Sequence, residues 1–364
     1  MGLFSKTLVG LDIGSNSIKM VQLREAGKGY HLVNYSVHPV SSETVEELDP
    51  DLKETILSES LKRLFKEKKV AKNVITAVSG DAVIVRYVKL PYMTEDELRN
   101  VISYEAEQHI PLPIDQVVID FHILGEVQEE NQKKLEVLLV AAKEEMIDQH
   151  IQLLKASGLK PQLIDVDSFA MENAYEVNYG KEAGETVALI NMGAKITTIN
   201  VMEDGVSHLT RDFTVAGNQF TKEIQREFNL SFSQAEELKK QQGSIVIESD
   251  EITLTRMPDK DDRSVRISEA ITPVLNKMLS EIRRSFDFYE NSIKKKPISK
   301  VILSGGSARL KNLDRFLSDK LGVPVSVSDP FKVIQTSLKG IDLEALQEAA
   351  PMLAVGVGLA LRRP

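Results

Sequence analysis

The sequence predicts an α/β protein of two related lobes facing each other across a cleft. Three observations point there. Apolar strands alternate with amphipathic helices along all 364 residues. A strand–turn–strand unit occurs twice, as "LVGLDIGSNSIKMVQL" (residues 8–23) and as "VALINMGAKITTINVM" (residues 187–202). Each has an apolar strand, an Asp or Asn, a spacer, a Gly and a second apolar strand, which makes a weak internal repeat. A third glycine turn, "LSGGSARL" (residues 303–310), separates a buried strand from a helix. Two βββαβα halves placed face to face leave a cleft, and clefts are where ligands bind.

The elements follow in order. Val9 to Ile13 and Ile18 to Leu23 are strands around a Gly/Ser/Asn turn, and "YHLVNYSVHPV" is a third. Pro50 to Lys69 is an amphipathic helix with Leu57, Leu61, Leu64 and Phe65 on one face. "NVITAVS" and "VIVRYVKLP" are strands. Thr94 opens a helix with a capping box to Glu97, and Pro111 and Pro113 in "EQHIPLPIDQ" forbid its continuation. "VVIDFHIL" and "LEVLLVAA" form a hairpin around the polar loop "EVQEENQKK". Glu144 to Ala156 is a helix closed by Gly158. Three strands follow from Thr186, then helices over Asn218–Asn229 and Ser231–Gln242. Glu248 to Arg263 is charged and poor in core residues, so a loop or weak hairpin is expected. Ile267 to Asn291 is a long helix, and "PMLAVGVGLALRR" is a closing one. The three lysines from Lys294 to Lys296 cap the long helix's dipole.

Composition narrows the function. A net charge of −9 argues against nucleic acid as the main partner, since phosphate binding needs concentrated Lys and Arg. No cysteine means no disulfide and no thiolate metal site. The six histidines show no metal-binding spacing. No window has the roughly 18 apolar residues of a spanning helix. Met1 to Thr7 carries no signal-peptide core, so a cytoplasmic protein is expected.

The glycine turns suggest the chemistry. Gly14 permits a tight turn, and the amides of Gly14, Ser15, Asn16 and Ser17 then point beyond the strand end as an anion nest. Asp12 is placed to hold Mg²⁺ through water, because magnesium keeps most of its waters. Lys19 adds positive charge where it faces the cleft. Alone, this stretch is equally an ordinary hairpin with a surface acid. The second turn offers Gly193 and Ala194 in the same places, and Gly305 and Gly306 let a flat base or ribose approach the backbone. Three such turns at strand ends favour a nucleotide cleft over three plain turns.

The ordered set "GLDIGSNSIK", "LIDVDSFAMENAY", "LINMGAKITTINV", "ILSGGSARLKNL" and "PMLAVGVGLAL" resembles the phosphate 1, connect 1, phosphate 2, adenosine and connect 2 motifs of the actin-like ATPase superfamily. That superfamily includes actin, the heat-shock chaperone ATPase domains, sugar kinases and the division protein FtsA. Within it, "LPYMTEDELRNVISYEAEQHIPLPIDQVVIDFHIL" resembles the PilM family of type IV pilus machines, most specifically at "EQHIPLPIDQ". The resemblance implies two RNase H-like lobes around a nucleotide cleft, with an FtsA-like inserted subdomain. It places the first lobe core over 1–73 and 159–185 and the insertion over 74–158, with ββαββα character. The second lobe core is 186–216 and 265–350, a small subdomain is 217–264, and the closing helix 351–364 returns to the first lobe.

The resemblance also implies ATP with Mg²⁺. Asp12, Gly14, Ser15, Asn16 and Ser17 match the first phosphate loop, and Gly193 and Ala194 the second. Gly217 and Asn218 match the turn that opens the small subdomain. Glu236 and Lys239 border the adenosine, and Gly305, Gly306 and Arg309 form its loop. Asp167 matches the connect 1 acid and is placed to order a water. Many relatives carry Asp and Thr where this chain has Asn191 and Ile196. An amide takes no proton from water, and an isoleucine offers phosphate nothing. Thr197 or Thr198 is left to supply a hydroxyl. ATP binding with slow or absent hydrolysis is the expectation, and the protein then acts as a scaffold. In the PilM family the partner is the N-terminal cytoplasmic peptide of the bitopic membrane protein PilN, held between the first lobe and the insertion. Arg86, Tyr87, Val88, Leu98, Ile102 and Tyr104 are the candidate groove residues. Membrane contact comes only through partners; pilus motor ATPases, platform proteins and a second copy of the chain stay open. A filament-forming ATPase of the FtsA or actin type is the alternative. A sugar or acetate kinase lacks a placeable catalytic Asp beyond Asp167.

Overall fold

The computed structural model describes residues 7–27, 29–40, 49–129, 131–181, 183–246, 262–292, 296–336 and 340–363. The expectations for Met1 to Lys6, for most of the charged stretch 248–263, and for Lys294 and Lys295 lie outside the described residues.

The first half runs β1 (Thr7–Ile13), β2 (Ser17–Ala26), β3 (Gly29–Pro39), α1 (Pro50–Lys68), β4 (Asn73–Val78), β5 (Val83–Pro91), α2 (Glu95–Ala106), β6 (Val117–Glu129), β7 (Gln132–Lys143), α3 (Glu144–Ala156), β8 (Lys160–Val166) and α4 (Asp167–Tyr179). The second runs β9 (Thr186–Met192), β10 (Thr197–Glu203), β11 (Val206–Phe213), α5 (Gly217–Phe228), α6 (Phe232–Gln242), α7 (Arg263–Ser292), β12 (Lys300–Ser304), α8 (Leu313–Leu321), β13 (Val325–Val327), α9 (Leu343–Ala349) and α10 (Ala354–Leu361). The two large sheets have the orders β3-β2-β1-β4-β8 and β11-β10-β9-β12-β13. These are one order used twice: an antiparallel three-stranded meander followed by two parallel strands. The sequence repeat is thus a repeat of topology.

Alternation along the strands decides which face each lobe buries. Val9, Leu11, Ile18 and Met20 pack on Leu61, Leu64 and Phe65 of α1 and on Leu153 and Leu154 of α3. Val21, Leu23 and Leu32 on the opposite face meet Val357 and Ala360 of α10. In the second lobe Ile190, Ile199 and Val201 pack on Phe220 of α5 and on Ile271, Met278, Ile282 and Tyr289 of α7. A separate apolar cluster joins the lobes beneath the cleft, with Ile75, Ala170, Met171 and Tyr175 against Val187, Leu189, Met202 and Ile302.

Three expectations need correcting. The insertion does not begin at Val74, because β4 lies inside the first sheet between β1 and β8. It does not extend to Gly158 either, since α3 buries Leu153 and Leu154 in the first lobe. The separate sheet, β5-β7-β6, occupies 83–143 with α2 across one face. The nine-residue polar loop "EVQEENQKK" is absorbed into strands β6 and β7, which leave only residues 130–131 between them. Its polarity marks exposed strand ends, tied by Lys89–Glu129 at 2.6 Å and Lys134–Glu129 at 2.8 Å. Leu343–Leu361 is, among the described residues, the one stretch long and apolar enough to cross a bilayer. It is broken by a 3₁₀ turn at Ala350–Leu353 containing Pro351, and most of it is buried core.

Candidate functional site

The β1–β2 and β9–β10 turns open onto one cleft of about 740 Å³ between the lobes. Each turn closes by the same bond. Gly14 N–H donates to the Ser17 carbonyl at 3.1 Å and Gly193 N–H to the Ile196 carbonyl at 3.0 Å. This corrects the anion nest: the Gly14 amide is consumed by its own turn. Crowding bears only lightly on Gly14, since a Cβ there would meet Lys19 Nζ, the movable tip of a side chain, at 2.6 Å and the Ser17 carbonyl at 3.2 Å. Gly305 is required by both conformation and crowding, with φ +89° and a would-be Cβ 2.5 Å from the Met192 carbonyl.

Antiparallel pairing sets Asp12 opposite Lys19. Cross-strand partners share a face, so Lys19 does face the cleft, 3.2 Å from Asp12. Asp167, at the start of α4, lies behind them. Burial, reinforced by the Asp12 charge, pushes its carboxyl up to about 7, against the Ser79 hydrogen bond and Lys19. A carboxyl poised near neutrality can order a water or accept its proton. Asn191 pairs with Thr198, which lines the cleft. Thr197 points away and donates to the Val215 carbonyl at 2.8 Å. Thr198 in turn pairs with Asp212 of β11 and hydrogen-bonds it. Burial raises the Asp212 carboxyl, opposed by that bond and by one of 2.8 Å from Gly80 N–H.

The far wall comes from α5 and α6. Glu236 accepts from Thr221 at 2.6 Å and pairs with Lys239 at 2.7 Å and Lys240 at 3.5 Å. Burial pushes its carboxyl up, but these cations outweigh it and hold the group low. Burial pulls the Lys239 ammonium down. Lys239 also donates to the Gly217 carbonyl at 3.1 Å, fixing the start of α5. Asn16 reaches across the cleft to Glu236 at 3.4 Å. Arg309 lines the cleft while bonded to Glu348.

Every residue expected at the nucleotide lines this cleft except Asn218, whose N–H instead donates to the Ala194 carbonyl at 2.7 Å. Sequence reasoning missed Ser79 and Asp212, which lie outside the glycine motifs, and passed over Ser307 inside the third of them. It also missed the continuation of the cleft between α1 and α3, lined by Lys53, Leu57, Met146 and His150. His150 faces Thr76 at 3.0 Å, and burial lowers its imidazole. The groove residues fare differently. Val88, Leu98 and Ile102 are buried among Leu90, Val137 and Leu139, so they form the core of the insertion and no surface. Tyr87 is half-buried, whereas Arg86 and Tyr104 are exposed.

Two lobes of repeated topology around a shared cleft define a protein of the actin-like ATPase fold. That fold is shared with MreB5 of Spiroplasma citri solved with AMPPNP, at 15% identity and TM-score 0.51 over 97% of this chain and 94% of that one. Bacillus subtilis cell division protein FtsA is 23% identical over 358 residues, covering 88% of this chain and 78% of its own. A solved PilM–PilN type IV pilus biogenesis complex matches with TM-score 0.82 and 29% identity over 98% of this chain and 99% of that one. The family model described as type IV pilus assembly protein PilM matches residues 10–364, and the chain belongs to that family.

Proposed function

We propose that this protein is a nucleotide-clamped adaptor of the type IV pilus assembly platform. It holds ATP with Mg²⁺ in the inter-lobe cleft, turns it over slowly or not at all, and binds the N-terminal cytoplasmic peptide of PilN. The observation that carries this reading is the pair of turns facing each other over the cleft, one with Asp12 and the other with Asn191 and Ile196. Asp12 suits a hydrated magnesium ion. Lys19, Ser15 and Ser17 suit the phosphates. The Glu236–Lys239 pair and Gly305–Gly306 frame the space for the nucleoside. The second turn offers neither a base nor a hydroxyl at the positions of Asn191 and Ile196, which removes water positioning and charge stabilisation there. A nucleotide held and not spent clamps the lobes by mass action.

The solved PilM–PilN complex supports PilN as the partner. Such an adaptor works in the cytoplasm and meets the membrane through PilN. Calorimetry with MgATP, phosphate release, and pull-down by a synthetic PilN N-terminal peptide with and without nucleotide test it together. Binding of MgATP below millimolar, turnover far below one per second and capture by the peptide are expected. ATP-dependent sedimentation at micromolar protein would assign a filament-forming ATPase instead.

A further inference from the structure

The insertion is attached in two chemically different ways. On the first lobe the attachment is apolar: Val85, Tyr87, Leu138 and Val140 pack on Val166 and Phe169 at the start of α4. On the second lobe it is polar. The Tyr87 hydroxyl lies 2.5 Å from Ser207 Oγ and 3.4 Å from Thr210 Oγ1 on β11. Glu136 approaches His208 at 3.9 Å, and Gly80 N–H, just before β5, donates to Asp212 at 2.8 Å. Ser207 donates its only proton to Asn200 Oδ1 at 2.7 Å, so Tyr87 is the donor to Ser207. Asn200 then bonds Glu172 of α4. Asp167, the cleft acid, opens that same helix.

This polar contact is incompletely packed. A cavity of about 210 Å³ lies between β5 and the β10–β11 pair. Its lining residues include Ser168 and Asp212, whose Oγ and Oδ1 are buried polar atoms without a hydrogen-bond partner. The cavity shares Ser79 and Thr198 with the main cleft. Polar, cavity-bearing interfaces between parts of one chain separate more readily than apolar ones.

We propose that the insertion is an arm gated by the cleft. It hinges on its apolar seat on the first lobe and latches to the second lobe through Tyr87 and Ser207. When the lobes close on a ligand the latch forms, and when they part it breaks while the seat holds. The arm's position therefore reports cleft occupancy to whatever binds the insertion. This rests on the reading of the cleft as a nucleotide site. Coupling is reciprocal, so weakening the latch weakens nucleotide binding, although neither Tyr87 nor Ser207 lines the cleft.

The chain has no cysteine, which makes paired spin labels clean. Labels go at Tyr104→Cys on α2, 67% exposed, and Arg226→Cys on α5, whose side chain is 73% exposed. In the full chain, MgATP narrows the distance distribution. Tyr87→Phe and, independently, Ser207→Ala broaden it at saturating MgATP. Each raises the MgATP dissociation constant about three- to tenfold, the range of one lost hydrogen bond. Folded variants with unchanged MgATP affinity and unchanged distances overturn the proposal. MgATP binding without any change of distance in the parent protein sinks the gating alone. No MgATP binding at all removes the nucleotide reading and the gating together.

Discussion

The two glycine turns at the cleft share a backbone and differ in chemistry. Both close with the same amide-to-carbonyl bond, near 3 Å, and both face one cleft. In the first, Asp12 and Lys19 form a charged pair across β1 and β2. In the second, the equivalent row reads Asn191, Thr198, Asp212 across β9, β10 and β11. The acid has not vanished from the second lobe. It sits two strands further out, behind Thr198 and bound by Gly80. A carboxylate there supports the joint between the lobes through Gly80 and does not line the main cleft. Sharing a turn's geometry therefore does not fix the side chains it presents to the cleft.

The largest expected effect comes from reversing that difference. Asn191→Asp combined with Ile196→Thr gives the second turn an acid and a hydroxyl at the cleft. Steady-state phosphate release should rise about tenfold to a hundredfold, within the usual range for a positioned base. No change would show that the slow step lies elsewhere. The converse, Asp12→Asn, makes the first turn resemble the second. MgATP affinity should fall about tenfold or more while affinity measured in EDTA barely moves, since the lost group serves the hydrated metal. Equal losses with and without Mg²⁺ would give Asp12 a structural role only.

Much of this was legible in the sequence, and the boundary of legibility is physical. The turns show because each is a short glycine-bearing stretch between two apolar runs, and Gly14 and Gly193 close theirs by a bond to the residue three positions on. The capping box at Thr94 and Glu97 is local in the same sense, and it is present. Asp212 was invisible because its place beside Thr198 depends on strand register, a long-range property. Leu98 and Ile102 were mistaken for surface because an apolar helix face looks the same whether its partner is its own sheet or a peptide. The insertion was drawn too wide because β4 and α3 flank it in sequence but pack into the first lobe.

Asp167 sharpens the comparison by titration. Burial and the neighbouring Asp12 charge raise its carboxyl to about 7, far above the range of an unfolded Asp. Below about pH 4 it is protonated in both states and costs nothing. As pH rises toward 7 the unfolded chain ionises it freely while the fold resists, so stability is lost over that window. Asp167→Asn should therefore raise the melting point of the ligand-free protein at pH 8, by about 2 kcal/mol of stability, and change little at pH 4. A uniform shift at both values would mean that the gain is unrelated to charge. In an Asp12→Asn background the gain should shrink, because the second cause of the shift is gone.

The smallest effect tests whether the first turn also acts as a latch across the cleft. Asn16 occupies the place that Lys195 takes in the second turn, and its amide reaches Glu236 on α6 at 3.4 Å. A bond that long, to a carboxylate already satisfied by Thr221 and Lys239, contributes about 0.5 kcal/mol. Asn16→Ala should weaken MgATP binding about twofold, seen mainly as faster dissociation, because the contact crosses from the first lobe to the second. Glu236→Gln should do more, since it also frees Lys239 from its ion pair and loosens the start of α5. If Asn16→Ala matched Glu236→Gln in size, the crossing bond and not the Glu236–Lys239 pair would be what holds the far wall in place.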